Sequence, residues 1–373
     1  MTITVTASLI HSYLENATLD AIRFFATFGV ISLHLVGGIE TLQLSIGNRL
    51  VINSILAVTY TSVNLFGVLS GYLKIDRTHH NASLLKIVLT TIFWCFLITL
   101  ICFFGLNTHS AGDLLTSAFP FLGDRLWYIT CYGFVFLCAP YLNFLLNHLS
   151  KVVYKRLLVI LFLLMAVLPT VFYRDIFHVV NKGYSAGWLI FMYLIGGYLK
   201  KYESCKRYNN RLVFITLVTS LCFVIASKYV LEKFLTKVGM NVALSWQLYY
   251  YNSPFTVLNT ICIFCLLKNI AWKKNMFGKL ISWLSTVSLG VYVIHAHPYS
   301  LDHVLIGKNL TWAVNDNPLI TLMILLGTIL GIYFGLGFLE QVRLMLFRNI
   351  GVNAWIKKEG EKLDKIMIID SQI

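Results

Sequence analysis

Two residues in the first apolar stretch are too costly to be incidental. Arg23 and His34 both lie in LDAIRFFATFGVISLHL. An arginine at the centre of a membrane-crossing helix costs about 2.5–3.5 kcal/mol on insertion scales, less near an edge. The two are eleven positions apart. At about 100° per residue that spacing returns a helix to within roughly 20° of the same face, with a rise of about 16 Å. The same stripe carries Asp20 and Thr27, and Asp20 is placed to pair with Arg23 three residues on. Alone, Arg23 reads as a cation snorkelling to the inner interface and His34 as a satisfied buried histidine. On one face, with an acid and a hydroxyl, they read as an intramembrane site. Imidazole is a general base near neutral pH, and a guanidinium stabilises developing negative charge.

Three further segments carry candidate chemistry. In VNLFGVLSGYLKIDR, Ser70–Gly71 is expected to make a close turn, followed at once by Lys74 and Arg77. Two cations at such a turn suit a phosphorylated ligand, and equally suit plain topology or lipid headgroups. In DRLWYITCYGFVFLCAPYLN, Trp127 and Tyr128 open a span as site residues or as an aromatic belt, and Pro140 is expected to kink it. In SLGVYVIHAHPYSLDHVL, Ser288 and Tyr292 precede His295, His297, Asp302 and His303. Pro298 disturbs the helical spacing and no clean HxxxH pair exists, so no metal is assigned.

These residues must be positioned by membrane helices. Of 373 residues 58% are hydrophobic and 12% charged, with mean hydropathy +0.74. A soluble domain is about a quarter charged. The apolar residues come in blocks long enough to cross a hydrocarbon core. Ten spans are expected, at 19–38, 50–73, 84–106, 126–147, 156–173, 185–200, 211–232, 250–268, 280–300 and 318–340. Segment 112–122 is apolar but short and reads as re-entrant or interfacial. The first apolar block lacks a basic flank and a small-residue cleavage site, so it is expected to be a retained helix.

The net charge of +14 is a topology signal. With both termini cytoplasmic, 21 Lys and Arg fall on inside segments and 8 on outside ones, Lys228 among the latter. No basic module stands apart from the apolar blocks, which excludes nucleic acid as a partner. Seven of the eight cysteines lie within those blocks, Cys262 and Cys265 as a CxxC without a second pair, and read as packing residues. Gly327, Gly331 and Gly335, each four apart, are expected to let another helix approach closely. The division is a membrane domain over 1–345 and a cytoplasmic tail over 346–373, with Trp355 and Ile356 among Lys and Glu, suited to lying on the membrane surface.

Taken in order, these segments resemble the acyltransferase-3 family of integral-membrane O-acyltransferases. LDAIRFFATFGVISLHL resembles its first helix, LFGVLSGYLKIDR its SG turn with basic residues, LWYITCYGFVFLCAPYL its LWF-type helix, and SLGVYVIHAHPY its late histidine segment. The match spans positions 19 to 298. Two departures stand out: Lys74 where members often carry arginine, and His295-Ala296-His297 before Pro298 in place of a tighter His-Pro ending.

The resemblance implies an all-α, ten-helix polytopic fold in a bacterial inner membrane. It implies transfer of an acyl group, usually acetyl from acetyl-CoA, to a sugar hydroxyl of a surface polysaccharide or its lipid-linked precursor. Acetyl-CoA is then a co-substrate, no cofactor is expected to be bound, and the partners are acyl-CoA, the glycan acceptor and membrane lipids. On that reading Lys74 and Arg77, with Ser70 and Gly71, hold the donor. Arg23, paired with Asp20, orients the thioester. His34 deprotonates the sugar hydroxyl or briefly carries the acyl group. Trp127, Tyr128, Tyr292 and His295 lie where the acceptor docks. The alternative from the residues alone is a transporter or flippase for a glycan-lipid or small solute, in which Arg23 and His34 relay protons.

Overall fold

The computed structural model describes residues 2–37, 39, 44–76, 80–106, 110–122, 126–270, 275–301 and 310–367. The helices are α1 (Thr2–Gly37), α2 (Ile46–Thr59), α3 (Ser62–Lys74), α4 (Ala82–Leu106), α5 (Ala111–Ser117), α6 (Trp127–His148), α7 (Lys151–Phe162), α8 (Leu168–Phe172), α9 (Ala186–Lys201), α10 (Ser204–Arg207), α11 (Asn210–Lys237), α12 (Pro254–Lys268), α13 (Met276–Ala296), α14 (Pro318–Asn349) and α15 (Val352–Met367). No strand occurs among the described residues.

The ends of these helices are written in the sequence. Ser45, Ser150, Ser185, Asn209, Ser253, Asn275 and Asn317 each cap a helix, the side chain accepting from a backbone N–H of the first turn. That satisfies an orphan donor, worth about 1 kcal/mol. Pro254 and Pro318 follow their caps directly, where a missing N–H costs nothing.

Among the described residues eight helical stretches are long and apolar enough to cross a bilayer. The expected sixth and eighth spans are the shorter α9 and α12, of 16 and 15 residues. The second span is two helices, α2 and α3, broken at Tyr60–Thr61. There the hydroxyls of Thr59 and Thr61 donate to the Leu56 and Val58 carbonyls, competing with the helical ladder. The fifth span passes through a π-helical turn, Leu163–Val167, just ahead of Pro169. A proline has no N–H to give the preceding turn. Segment 112–122 is the short α5 and a 3-10 turn, Pro120–Leu122.

Helix α1 is the centre of the bundle, packed against α2, α3, α12, α13 and α14. Its neighbour α3 crosses α9 at very short range. A Cβ on Gly71 would strike the Tyr193 carbonyl, one on Gly196 the Val68 carbonyl, and one on Gly67 the Met192 side chain. Two corrections follow. Ser70–Gly71 is not a turn but lies within α3, and its glycine serves this crossing. The close-packing stripe is Gly67–Gly71 rather than Gly327, Gly331 and Gly335, which have nothing from the described chain within 4 Å of an added Cβ. Small residues permit close approach but do not supply the partner helix.

The other end of α14 holds a buried ion pair. Arg343 reaches Glu340 through Nε at 2.8 Å and Nη2 at 2.5 Å, and Trp94 Nε1 donates to the same carboxylate at 2.7 Å. Glu340 and Arg343 are 1% and 3% exposed. Gly290 on α13 leaves the room the carboxylate needs. Helix α15 then folds back against α4: the Asn81 amide and side chain donate to Asp364 at 2.7 and 2.8 Å.

Candidate active site

Two cavities meet along α1. The larger, about 560 Å³, carries the charges: Asp20 and Arg23 from α1, Lys74 from α3, Lys86 from α4 and Glu340 from α14 line it, with Ser70. The smaller, about 100 Å³, is lined by His34, Trp127 and Tyr251 among apolar side chains. Phe66, Tyr128 and Tyr292 line both, so these three rings form the wall between them. The rings touch in sequence, Phe66 to Tyr128 at 5.7 Å and Tyr128 to Tyr292 at 5.8 Å between centroids.

His34 and His295 come together across the interface of α1 and α13. His34 Nδ1 and His295 Nε2 lie 3.1 Å apart, and His295 Nδ1 is 2.9 Å from the Val291 carbonyl oxygen. A carbonyl only accepts, so His295 Nδ1 carries the proton. In the neutral ring His295 Nε2 is then an acceptor, and His34 must donate to it from Nδ1. The chain of bonds therefore leaves His34 Nε2 with a free lone pair, on a side chain that lines the smaller cavity. His295 is fully buried, its ring edge-on to Tyr292 at 5.6 Å. This is a base oriented by a second residue, the arrangement general-base chemistry needs.

Arg23 lies on the other side of the ring wall. Its Nη1 donates to Asp20 Oδ1 at 2.9 Å, and Ser285 Oγ donates to the same oxygen at 2.8 Å. Two donors thus fix the Asp20 carboxylate, which holds the guanidinium in turn. Nη1 also lies 3.5 Å from Ser285 Oγ, and among the described residues Nε and Nη2 have no hydrogen-bond partner. The remaining N–H groups are available to an anion in the larger cavity. Thr27, on the same stripe, spends its hydroxyl on the Arg23 carbonyl at 3.0 Å. Lys74 Nζ stands 3.2 Å from the centroid of Phe136 and 5.7 Å from that of Tyr132, attracted by the ring faces.

The expected site residues therefore sort into groups. His34, Trp127, Tyr128 and Tyr292 line the smaller cavity with His295 buried against His34, and Asp20, Arg23, Ser70 and Lys74 line the larger. Gly71, expected to hold the donor, is not on either wall, because it packs against α9. Arg77, Asp302 and His303 lie outside the described residues. His297 turns away from His295 towards Thr99, 3.4 Å from its hydroxyl.

Several residues were not singled out by the sequence. Lys86 carries no signal in the sequence beyond being a basic residue at the start of an apolar block, yet it lines the charged cavity. Glu340 and Lys228 are ionisable groups inside spans, so the cost argument that drew attention to Arg23 applied to them too. Lys228 is not in an outer loop but buried in α11, donating to Asn53 Oδ1 at 3.1 Å under Trp246. Nothing local marks Ser285, which matters only because α13 lies beside α1.

The fold defines a class, a multi-pass helical membrane protein. The family model described as an acyltransferase domain, acyltransferase-3, matches residues 16–336, and the chain belongs to that family. No curated protein and no solved structure matches the chain.

Proposed function

We propose that the protein transfers an acyl group, acetyl in the first instance, from acyl-CoA to a sugar hydroxyl of a cell-surface polysaccharide or its lipid-linked precursor. The setting is the bacterial inner membrane. The observation that carries this reading is the hydrogen-bonded chain from the Val291 carbonyl through His295 to His34, which leaves one basic nitrogen beside a cavity.

The larger cavity suits the donor. Arg23, Lys74 and Lys86 line it, and coenzyme A brings phosphates that such cations bind. The excess of Lys and Arg on the inside segments supports a cytoplasmic face for this side, the side from which acyl-CoA would enter. The smaller cavity suits the acceptor. Trp127 and Tyr251, 6.3 Å apart between ring centroids, offer apolar faces to a sugar ring. The thioester meets the hydroxyl at the ring wall. His34 Nε2 takes the hydroxyl proton as the oxygen attacks the carbonyl carbon. The carbon–sulfur bond then breaks, and the coenzyme A thiolate leaves with a proton returned from His34. Arg23 works on the donor at a distance from His34 set by eleven helical residues, about 16 Å of rise.

Mass spectrometry of surface glycans from cells with and without the gene tests the acceptor. The reading expects one glycan to lose the mass of a single acetyl group when the gene is removed. Identical glycan profiles would remove polysaccharide as the acceptor.

A further inference from the structure

The wall between the cavities holds two phenols with nothing to do in the protein itself. Tyr128 opens α6 and Tyr292 lies one turn before His295 on α13; both rings are shared by the two cavities. Phe66, the third shared ring, has no polar atom. Among the described residues neither phenol hydroxyl makes a hydrogen bond, and neither is sealed from the cavities that its ring lines. Their neighbours Tyr333, Tyr193 and Tyr154, buried in the same bundle, spend theirs on the Leu284 carbonyl, Asn143 Oδ1 and the Leu194 carbonyl. A hydroxyl that faces a cavity with no protein partner is available to donate to a ligand bound there.

We propose that Tyr128 and Tyr292 form the oxyanion site of the transfer, their hydroxyls donating to the acyl carbonyl oxygen where the two cavities meet. This deepens the acyl-transfer reading and rests on it. The thioester enters from the charged cavity and the hydroxyl from the cavity of His34, so the reacting carbonyl must sit at the wall they share. As the sugar oxygen bonds to the carbonyl carbon, the π pair moves onto the carbonyl oxygen, and two phenol O–H groups receive that charge. When the carbon–oxygen double bond re-forms, the pair returns and the sulfur leaves. The donors are fixed in advance. Tyr128 is held against Phe66, Trp127 and Tyr132, and Tyr292 against Tyr128 and the edge of His295. Donors that need no reorganisation in a site of low polarity are the strongest kind of charge stabilisation.

The substitutions Tyr128→Phe and Tyr292→Phe keep the ring, hence the wall, and remove only the hydroxyl. In protein reconstituted in nanodiscs, each is expected to lower kcat about a hundredfold, the usual effect of deleting one oxyanion donor, with KM for acetyl-CoA unchanged. A second measurement uses the donor alone. With carbonyl-labelled acetyl-CoA bound to His34→Ala protein, the carbonyl stretch is expected at lower frequency than in water-free solvent. It should move back up when Tyr292→Phe is added. Phenylalanine variants with wild-type kcat, or with a defect confined to KM, or a carbonyl band indifferent to Tyr292, would overturn the assignment while wild-type transfer kept the parent reading intact. Wild-type protein unable to transfer acetyl would overturn both.

Discussion

His34 has one nitrogen left for chemistry, and His295 decides which. The 3.1 Å contact to His295 and the 2.9 Å contact from His295 to Val291 leave Nε2 with the free lone pair that the proposed base needs. His295→Leu removes the acceptor for the His34 Nδ1 proton and frees the ring to turn. We expect kcat to fall about a hundredfold, the lower range of what a positioned base contributes, with KM for acyl-CoA unchanged. Steady-state kinetics in nanodiscs checks this. On the donor side Lys74→Gln and Lys86→Gln should do the reverse. Each should raise KM for acyl-CoA about tenfold, the loss of one contact to a charged group, and leave kcat alone. Unchanged KM would return both lysines to topology. Much of this was legible in the sequence: the eleven-residue spacing of Arg23 and His34 gave the stripe, and the histidine segment supplied the partner. The Asp20–Arg23–Ser285 contacts were not, because Ser285 is 262 residues from Arg23 and only packing joins them.

At the scale of helices, the site depends on two places where backbones or charges come unusually close. Helix α3 presents Phe66, Ser70 and Lys74 to the cavities while its opposite side lies against α9 at Gly71. Gly71→Val should push these helices apart, and overpacking of this kind costs about 1–3 kcal/mol. The expected signs are a lower thermal midpoint in detergent and a raised KM for acyl-CoA, since Lys74 moves with the helix. The second place is the Arg343 fork on Glu340. Arg343→Met would strand a buried carboxylate on the cavity wall, at a cost of about 3–5 kcal/mol. A thermal midpoint equal to that of the wild type would mean the pair is not as dry as its burial implies. Helix existence followed from block length. Which glycines serve packing did not, because Gly67–Gly71 and Gly327–Gly331–Gly335 have the same spacing and differ only in whether a helix lies opposite.

Over the whole molecule, the arrangement is two chambers on one central helix with a ring wall between them. Transfer across such a wall needs the acyl group to pass and not the coenzyme, which fits charge gathered on one side and aromatic faces on the other. Helix α15 sits beside the charged chamber. Asp364 meets Asn81 and lies 3.4 Å from His80 Nδ1, and His80 lines that chamber. Trp355 is half exposed on the same helix. Ten apolar blocks in the sequence were enough to foresee the all-helical, polytopic fold. The breaks at Tyr60–Thr61 and before Pro169 were not foreseen, since block length says how far a segment reaches and not whether it is one helix.

The central claim is that His34 abstracts the acceptor proton, and the direct measurement is acyl transfer by purified protein in proteoliposomes. Labelled acetyl-CoA would be supplied on the side of Lys74 and the membrane fraction assayed for labelled glycan. We predict transfer by the wild type and a loss of about a hundredfold to ten-thousandfold in His34→Ala, with the variant folded and still binding acetyl-CoA. Transfer by His34→Ala at the wild-type rate would contradict the account.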